Sequence, residues 1–335
     1  MMKMTTKMMM LTTLILSTIL VLSSENWMST WMGLEINMMS FVPLMEKEKS
    51  LNSSESKMMY FLIQSMSSIL FVFMVIMEPM IMIKEELMKN MFMIVISISM
   101  MTKMGMAPMH MWFVNIIKKM SWKTCMILMT WQKIAPMFIL SNTIMNLKLI
   151  SWWSIMSVIM GAIGGINQTS IKKMMAFSSI NHLGWMTMCM KFDNEMWMKY
   201  IIIYSAMLIL ILKTLSDKSI MYMNQINMNM KTQMEKMNLL IMMLSLGGLP
   251  PFIGFLPKWM VIQSMINTKS MFIVIILMMS SMITLFYYLR MMTPIIMIQS
   301  TTNKWNNKSF KMKKSFMMSI IINMMLPLTM IINML

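Results

Sequence analysis

The chain has 335 residues, of which 58% are hydrophobic and only 12% are charged. A soluble domain of this size needs more polar surface, so the composition predicts a polytopic membrane protein. The net charge of +17 could indicate nucleic acid, but the lysines fall in short loops between apolar runs, as membrane topology predicts. Cys125 and Cys189 are too few to ligate an iron–sulfur cluster.

Eleven apolar segments, each long enough to cross ~30 Å of hydrocarbon, follow one another along the chain. Backbone polar groups must be satisfied within lipid, so we expect each segment to be helical. The first segment resembles a signal peptide, but the spans behind it and the lack of a small-residue cleavage site favour a retained helix. The segments are 8–24, 27–45, 58–77, 91–117, 124–142, 149–166, 173–190, 196–214, 237–266, 270–290 and 316–334.

The fourth and ninth segments contain glycine and proline in mid-membrane, where proline removes a backbone donor and interrupts a helix. Paired interruptions indicate an internal repeat, although packing alone can also produce them. Their odd offset along the chain predicts repeats of opposite orientation. We predict one membrane domain, 1–335, with repeat A at 8–142, repeat B at 149–290 and an extra helix at 316–334. The interruptions hold Gly105, Pro108, Gly247, Gly248, Pro250 and Pro251.

The loops differ in charge between the two sides of the membrane. This topology puts 19 basic residues on the side of the N-terminus and 6 on the other side, which predicts an N-terminus in the matrix or cytoplasm. The 66 methionines and a single arginine among 29 basic residues are typical of an AT-rich mitochondrial genome. The basic loops 215–236 and 291–315 could be amphipathic interfacial helices or docking surfaces.

Ionisable side chains also lie within or at the ends of the apolar segments. Such a group is costly at bilayer depth unless it faces a partner or a water-filled path, so it indicates an ion or proton route. Hydrocarbon disfavours the charged form of a lysine, whereas a nearby carboxylate favours it. A Glu35–Lys103 pair followed by Lys133 and Lys258 would therefore form a row of proton-exchanging sites. A static buried ion pair is the alternative for Glu35 and Lys103.

Two further residues are weaker candidates for proton transfer. Lys213 lies near the end of its segment, where its ammonium can extend to the headgroups, and we favour that interpretation. His182 lies in mid-segment and could relay protons, because its unperturbed pKa is near neutral. A packed, hydrogen-bonded core histidine is the alternative.

Five segments, in chain order, resemble the antiporter-like membrane subunits of respiratory NADH–ubiquinone oxidoreductase, complex I. They are WMGLEIN, KMGMAPMHMWF, TWQKIAP, SINHLGW and GGLPPFIGFLPKW. The resemblance is to mitochondrial members, in particular those of arthropods. It extends from the first helix to about residue 290 and is vague in the long loops and the last helix.

The resemblance implies roles for four of the ionisable residues. In that family a glutamate of the second helix pairs with the lysine of the first interrupted helix, here Glu35 and Lys103. The lysine of the next helix, here Lys133, would be a connecting site, and Lys258 would be the exit-side residue. Larger members have additional N-terminal helices, and some carry a glutamate where Lys258 stands.

The resemblance further implies a core membrane subunit of a proton-translocating NADH:ubiquinone reductase, with no redox centre in this chain. It would lie in the mitochondrial inner membrane, with the N-terminus in the matrix and the C-terminus in the intermembrane space. NADH, FMN, iron–sulfur clusters and ubiquinone would serve the complex as a whole, and this chain would bind no cofactor or metal. Its partners would be other membrane subunits, including neighbouring antiporter-like chains, and phospholipids, but no nucleic acid.

Two other classes of protein fit the residues. A stand-alone cation/proton antiporter would use the same lysine row without a redox partner. A membrane scaffold would tolerate the simultaneous loss of Lys103, Lys133 and Lys258.

Overall fold

The computed structural model describes residues 4–45, 51–82, 86–143, 148–192, 194–230, 233–268 and 270–299, and residue 323. These residues form α-helices with short connections and no β-strand, which confirms an all-helical membrane protein. The predicted extra helix, 316–334, lies outside the described residues except for Asn323. The helices are α1 (Met4–Ser23), α2 (Trp27–Leu44), α3 (Leu51–Met82), α4 (Glu86–Met104), α5 (Met111–Lys119), α6 (Trp122–Met129), α7 (Ile134–Thr143), α8 (Lys148–Ile166), α9 (Ile171–Phe192), α10 (Met196–Asp217), α11 (Gln225–Asn229), α12 (Gln233–Gly247), α13 (Phe255–Asn267) and α14 (Met271–Gln299).

Within these residues, six helical stretches are long and apolar enough to cross a membrane. Their outward faces carry large apolar side chains, such as Leu16, Phe73 and Phe272, which are 63%, 55% and 75% exposed. Water would disfavour such surfaces, whereas lipid accommodates them. The six stretches are Thr5–Ser23, Leu51–Pro79, Trp122–Thr143, Leu149–Ile166, Met196–Asp217 and Met271–Pro294.

Helices α4 and α12 each end at a glycine with positive φ. Gly105 has φ +71° and Gly248 has φ +83°, values that favour glycine because it lacks a Cβ atom. After α4, the amide of Met106 donates to Met101 O and that of Gly105 to Thr102 O. The amides of Leu249 and Gly248 make the same two bonds after α12, to Leu244 O and Ser245 O. Both ends are therefore Schellman motifs, which satisfy carbonyls that have no intrahelical donor.

The predicted span 124–142 contains an interruption that the sequence analysis did not predict. Helix α6 ends at Met129, a 3₁₀ turn covers Trp131–Lys133, and α7 begins at Ile134. Pro136 explains the change, because it has no amide hydrogen for the carbonyl of Gln132, one turn earlier. Lys133 therefore belongs to a 3₁₀ turn and not to a continuous α-helix.

The helices divide into two compact units, Met1–Ser157 and Val158–Leu335. In the first unit α1 packs against α2, α3 against α4 and α5, and α4 against α7. In the second unit α9 is the central helix, since every residue from Met174 to Met190 is buried. Helices α10, α13 and α14 pack against α9, and α12 packs against α10 and α14.

Close approach of α8 and α9 in the second unit depends on Gly161. A Cβ atom at this position would lie 2.6 Å from the backbone nitrogen of Asn181. The side chain of Asn181 donates to Val158 O at 3.1 Å across the same contact. Small residues commonly allow such contacts between membrane helices.

We predict that Gly161→Ala lowers the thermal stability of the assembled protein, because the new methyl group must displace backbone atoms. Gly33→Ala is the matched control, since its Cβ atom would meet side-chain atoms of Val21 at 2.6 Å and a backbone atom, Ser17 O, only at 3.3 Å. Alanine itself favours a helix interior over glycine by about 1 kcal/mol. Thermal denaturation in detergent would contradict the prediction if Gly161→Ala were as stable as Gly33→Ala.

Candidate functional site

Two of the predicted lysines of the first unit line a single cavity. Lys103 lies in the last turn of α4, and Lys133 lies in the 3₁₀ turn between α6 and α7. Their side chains are 9% and 1% exposed. The cavity between them has a volume of ≈ 20 Å³, which accommodates about one water molecule. The two lysines, which lie far apart in sequence, therefore border the same small cavity.

Neutral amide side chains form much of the polar lining of this cavity. Gln132 Nε2 donates to Asn37 Oδ1 at 2.9 Å, linking the 3₁₀ turn to α2. Gln64 Nε2, from α3, donates to the backbone carbonyl of Lys103 at 3.1 Å. That carbonyl lies in the last turn of α4 and has no intrahelical donor. The amides therefore stabilise the helix end without adding a charge beside the lysines.

Aromatic rings complete the cavity wall. Lys133 Nζ lies 5.6 Å from the ring centre of Phe113, a distance at which an ammonium is attracted to the ring face. Trp112 and Tyr60 also line the cavity, and their ring centres are 6.3 Å apart. These rings form the aromatic part of the cavity lining.

Glu35 lies on α2, outside this cavity. Its half-buried side chain lines an open groove of ≈ 460 Å³ between α2 and α3, together with Trp31 and Phe73. The Glu35 carboxylate attracts the Lys103 ammonium through space. The structure describes both Glu35 and Lys103, and their side chains form no ion pair within 4.0 Å. The structure thus brings Glu35 near Lys103 without a direct contact.

Of the predicted lysines of the second unit, Lys258 is the buried one, at 3% exposure; Lys172 and Lys236, which were not predicted, are buried in the same unit at 7% and 6%. It lies in the first turn of α13, and its Nζ donates to Gly247 O at 2.7 Å. A Cβ atom at Gly248 would lie 2.9 Å from Nζ, so this glycine also leaves room for the lysine. The ring of Trp185, from α9, is centred 6.0 Å from Nζ. Lys258 therefore binds the negative end of the α12 helix dipole.

His182 is buried in α9 and contacts two tyrosines of α10. Its Nδ1 is 2.9 Å from the hydroxyl oxygen of Tyr200, and its ring centre is 4.9 Å from that of Tyr204. A cavity of ≈ 10 Å³ adjoins these residues and Pro257, the neighbour of Lys258 in sequence. The histidine is thus hydrogen-bonded and also borders a small cavity.

The remaining predicted residues lie apart from these contacts or shape the helix ends. Lys213 is exposed on α10, as expected for an ammonium that extends to the headgroups. Pro108 follows a cis peptide bond in the turn between α4 and α5. Pro250 and Pro251 lie in the turn that precedes α13.

Several residues that line these sites were not predicted. Gln64 is a polar residue in an otherwise apolar stretch of α3, YFLIQSMSSILF, and this position could have indicated an inward-facing amide. The tyrosines could not have been identified in this way, because tyrosine is common in apolar helices as packing. The unpredicted lining residues are Asn37, Tyr60, Gln64, Gln132, Tyr200 and Tyr204.

Comparison with known proteins identifies the family to which the chain belongs. Residues 24–284 match the model of the family of NADH:quinone oxidoreductase/Mrp antiporter transmembrane proteins. The chain belongs to this family. NADH-ubiquinone oxidoreductase chain 2 of Anopheles gambiae is 41% identical over 314 residues, 92% of this chain and 92% of the relative. The protein of the same name from Bos taurus is 34% identical over 335 residues, 95% of each chain.

Solved structures of the family share the fold at lower identity. A chain of respiratory complex I from Thermus thermophilus aligns with a TM-score of 0.80 at 17% identity, covering 95% of this chain and 76% of that chain. A chain of an Mrp complex from Dietzia aligns with a TM-score of 0.77 at 14% identity, covering 85% and 59%. Both comparisons show the antiporter-like membrane fold.

We predict that Gln64→Leu loosens the end of α4, because it leaves the buried carbonyl of Lys103 without a donor. Such a loss costs about 1–3 kcal/mol, so exchange of the Gly105 and Met106 amides should accelerate by about tenfold or more. Hydrogen exchange measured by mass spectrometry checks this. Gln263→Leu, at an exposed position of α13, is the control and should leave exchange unchanged. Equal exchange in both variants would contradict the prediction.

Proposed function

We propose that this chain is a membrane subunit of a respiratory NADH:ubiquinone oxidoreductase that takes part in proton translocation. The proposal rests chiefly on the pair of buried lysines, Lys103 and Lys133, which line one cavity whose other residues are uncharged. Relatives named NADH-ubiquinone oxidoreductase chain 2, which match most of the chain, support membership in such a complex. An ionisable group buried at membrane depth is a functional-site hypothesis by default, and proton relays are among the functions that such groups serve.

The chemistry of this chain would be proton exchange between lysines. The carboxylate of Glu35 favours the ammonium form of Lys103. When that negative charge is neutralised or moved away, Lys103 releases its proton to Lys133 across the cavity. In the second unit, Lys258 would hold and release protons in the same manner. His182 belongs to the same unit and would take part in this exchange. Because each charge affects its neighbours, the sites titrate as a coupled set.

Electron transfer would take place in other subunits of the complex. There NADH, FMN, iron–sulfur clusters and ubiquinone supply the redox chemistry, and the energy reaches this chain through neighbouring membrane subunits. We propose that the chain lies in the mitochondrial inner membrane, with its N-terminus in the matrix and its C-terminus in the intermembrane space. The excess of basic residues on one side supports this orientation. Phospholipids would surround its exposed apolar faces.

We further propose eleven membrane-spanning helices arranged as two inverted repeats and one additional helix. In this arrangement α4 with α5 and α12 with α13 are the two interrupted helices. The matching Schellman motifs at Gly105 and Gly248 support their correspondence. Interrupted helices of this kind expose backbone groups in the protein interior, and these groups can bind ions.

A stand-alone cation/proton antiporter is the second candidate. The similarity of the fold to that of a chain of an Mrp complex supports this second candidate. Such a protein would exchange sodium or potassium for protons in vesicles without NADH. Native-gel separation of mild-detergent extracts distinguishes the two functions, since a complex subunit should migrate in a large band that oxidises NADH. A small species without that activity, together with cation-dependent proton exchange, would favour the antiporter.

We predict that Lys133→Ala lowers proton translocation without preventing assembly. A positioned proton-transfer group typically contributes 10²–10⁴-fold, so transfer through this chain should slow by about 10²-fold. The measurement is the number of protons translocated per NADH oxidised by the intact complex in sealed vesicles.

Lys123→Ala is the matched control, because Lys123 is exposed on α6 in the same unit. The Lys123→Ala complex should translocate as many protons per NADH oxidised as the complex with the unmodified chain. A normal ratio in Lys133→Ala would overturn the assigned role of this lysine.

A further inference from the structure

Tyr200 of α10 has a buried hydroxyl group that the proposed exchange of protons between lysines does not use. Its side chain is 0% exposed, and the hydroxyl oxygen lies 2.9 Å from Nδ1 of His182. Among the residues that the structure describes, His182 is the one hydrogen-bond partner of this hydroxyl. Because a buried phenol must place its single hydrogen on an acceptor, this contact determines where that hydrogen lies.

Tyr200 and His182 meet because α9 and α10 pack against each other. The buried positions of α10 recur at helical spacing, and Trp197, Tyr200 and Tyr204 all belong to its inward face. His182 lies ~16 Å along the axis of α9 from its first residue, Ile171. Its side chain is only 6% exposed, so the hydrogen bond between the two residues is shielded from bulk water.

The imidazole of His182 contacts two rings of α10 in different ways. The ring of Tyr204 is centred 4.9 Å from it at an angle of 41°, so this tyrosine packs against the imidazole. The ring of Tyr200 is centred 6.0 Å away at 63°, and its hydroxyl binds a nitrogen at the edge of the imidazole. A half-turn of the imidazole would bring a carbon to that position, and the hydroxyl would lose its acceptor. The hydrogen bond therefore fixes the orientation of the imidazole.

The same hydrogen bond selects the tautomer of the imidazole. A neutral imidazole has one nitrogen that donates and one that accepts. If Nδ1 of His182 carried the hydrogen, the hydroxyl of Tyr200 would accept it, and the hydrogen of this hydroxyl would have no acceptor among the described residues. If Nδ1 accepts, the hydroxyl is satisfied and the hydrogen of the imidazole lies on Nε2. The second arrangement is favoured, because it leaves no buried donor of Tyr200 without an acceptor.

We propose that Tyr200 is a positioning residue for His182, which holds the imidazole in one orientation and keeps its neutral form in the Nε2–H tautomer. Uptake of a proton then takes place at Nδ1, and the hydroxyl of Tyr200 turns so that its oxygen accepts from the new N–H group. Release of that proton restores the first arrangement, so the phenol neither gains nor loses a proton. The inference deepens the proposed function and rests on the part that His182 has in it.

A double-mutant cycle with Tyr200→Phe and His182→Gln tests this assignment. Tyr200→Phe removes the hydroxyl and keeps the ring, so in sealed vesicles the intact complex should translocate fewer protons per NADH oxidised, approaching the value of His182→Gln. The double variant should translocate as many protons as His182→Gln alone, because Tyr200 acts through His182. A further fall in the double variant would show a role in packing only and would overturn the assignment. Tyr222→Phe, at a tyrosine that is 51% exposed, is the matched control and should translocate normally.

Infrared spectra of the intact complex with ring-labelled histidine report the tautomer even without a change at Tyr200. The bands of His182 are those that His182→Gln removes from the spectrum. In the unmodified complex they should be bands of the Nε2–H tautomer, and bands of the Nδ1–H tautomer should appear beside them in Tyr200→Phe. The Nδ1–H tautomer in the unmodified complex, or unchanged bands in Tyr200→Phe, would overturn the assignment.

The measurements of translocation separate this inference from the proposed function. Normal translocation in Tyr200→Phe or in His182→Gln, while Lys133→Ala loses translocation, would overturn the inference and leave the proposed function intact. Normal translocation in both Lys133→Ala and Lys258→Met would overturn the proposed function itself.

Discussion

The structure depends on one constraint: a polar group within the bilayer must find its partner inside the protein. Helices α4 and α12 end within segments predicted to cross the membrane, so their last carbonyls need donors from elsewhere. Glycine-based turns supply some of these donors, and side chains supply others. Gln64 binds the carbonyl of Lys103, and Lys258 binds that of Gly247. The same interactions that complete the helices thus position ionisable groups.

The first unit shows why neutral amides suit such a site. Asn37, Gln64 and Gln132 satisfy one another or the backbone, and none of them carries a charge. A carboxylate in direct contact with a lysine would bind the ammonium in a rigid pair and leave a costly buried charge after proton loss. With Glu35 outside the cavity, Lys103 would, in the proposed function, lose its proton without breaking a direct ion pair with Glu35.

The sequence was sufficient to predict an all-helical membrane protein and to select Lys103, Lys133 and Lys258, because charge and proline are conspicuous in apolar runs. Lys172 and Lys236 are also buried, and they were not selected because each lies just before a predicted segment. The family resemblance added their relation to one another. Contacts that depend on helix rotation could not be predicted, which is why the amide of Gln64 and the tyrosines near His182 were not identified. The 3₁₀ turn at Lys133 was in principle readable from Pro136. Its effect on backbone geometry was missed because the motif TWQKIAP was interpreted only through its lysine.

The contact between Lys258 and Gly247 distinguishes the two units in how their lysines are balanced. A helix C-terminus acts as roughly half a negative charge that cannot take up a proton. Lys258 therefore has a permanent counter-charge made of backbone, whereas Lys103 is attracted by Glu35, a group that can be neutralised. Of these two counter-charges, only the carboxylate of Glu35 can be neutralised by a neighbouring event. In the proposed function, Glu35 would therefore be the group through which a neighbouring event reaches Lys103.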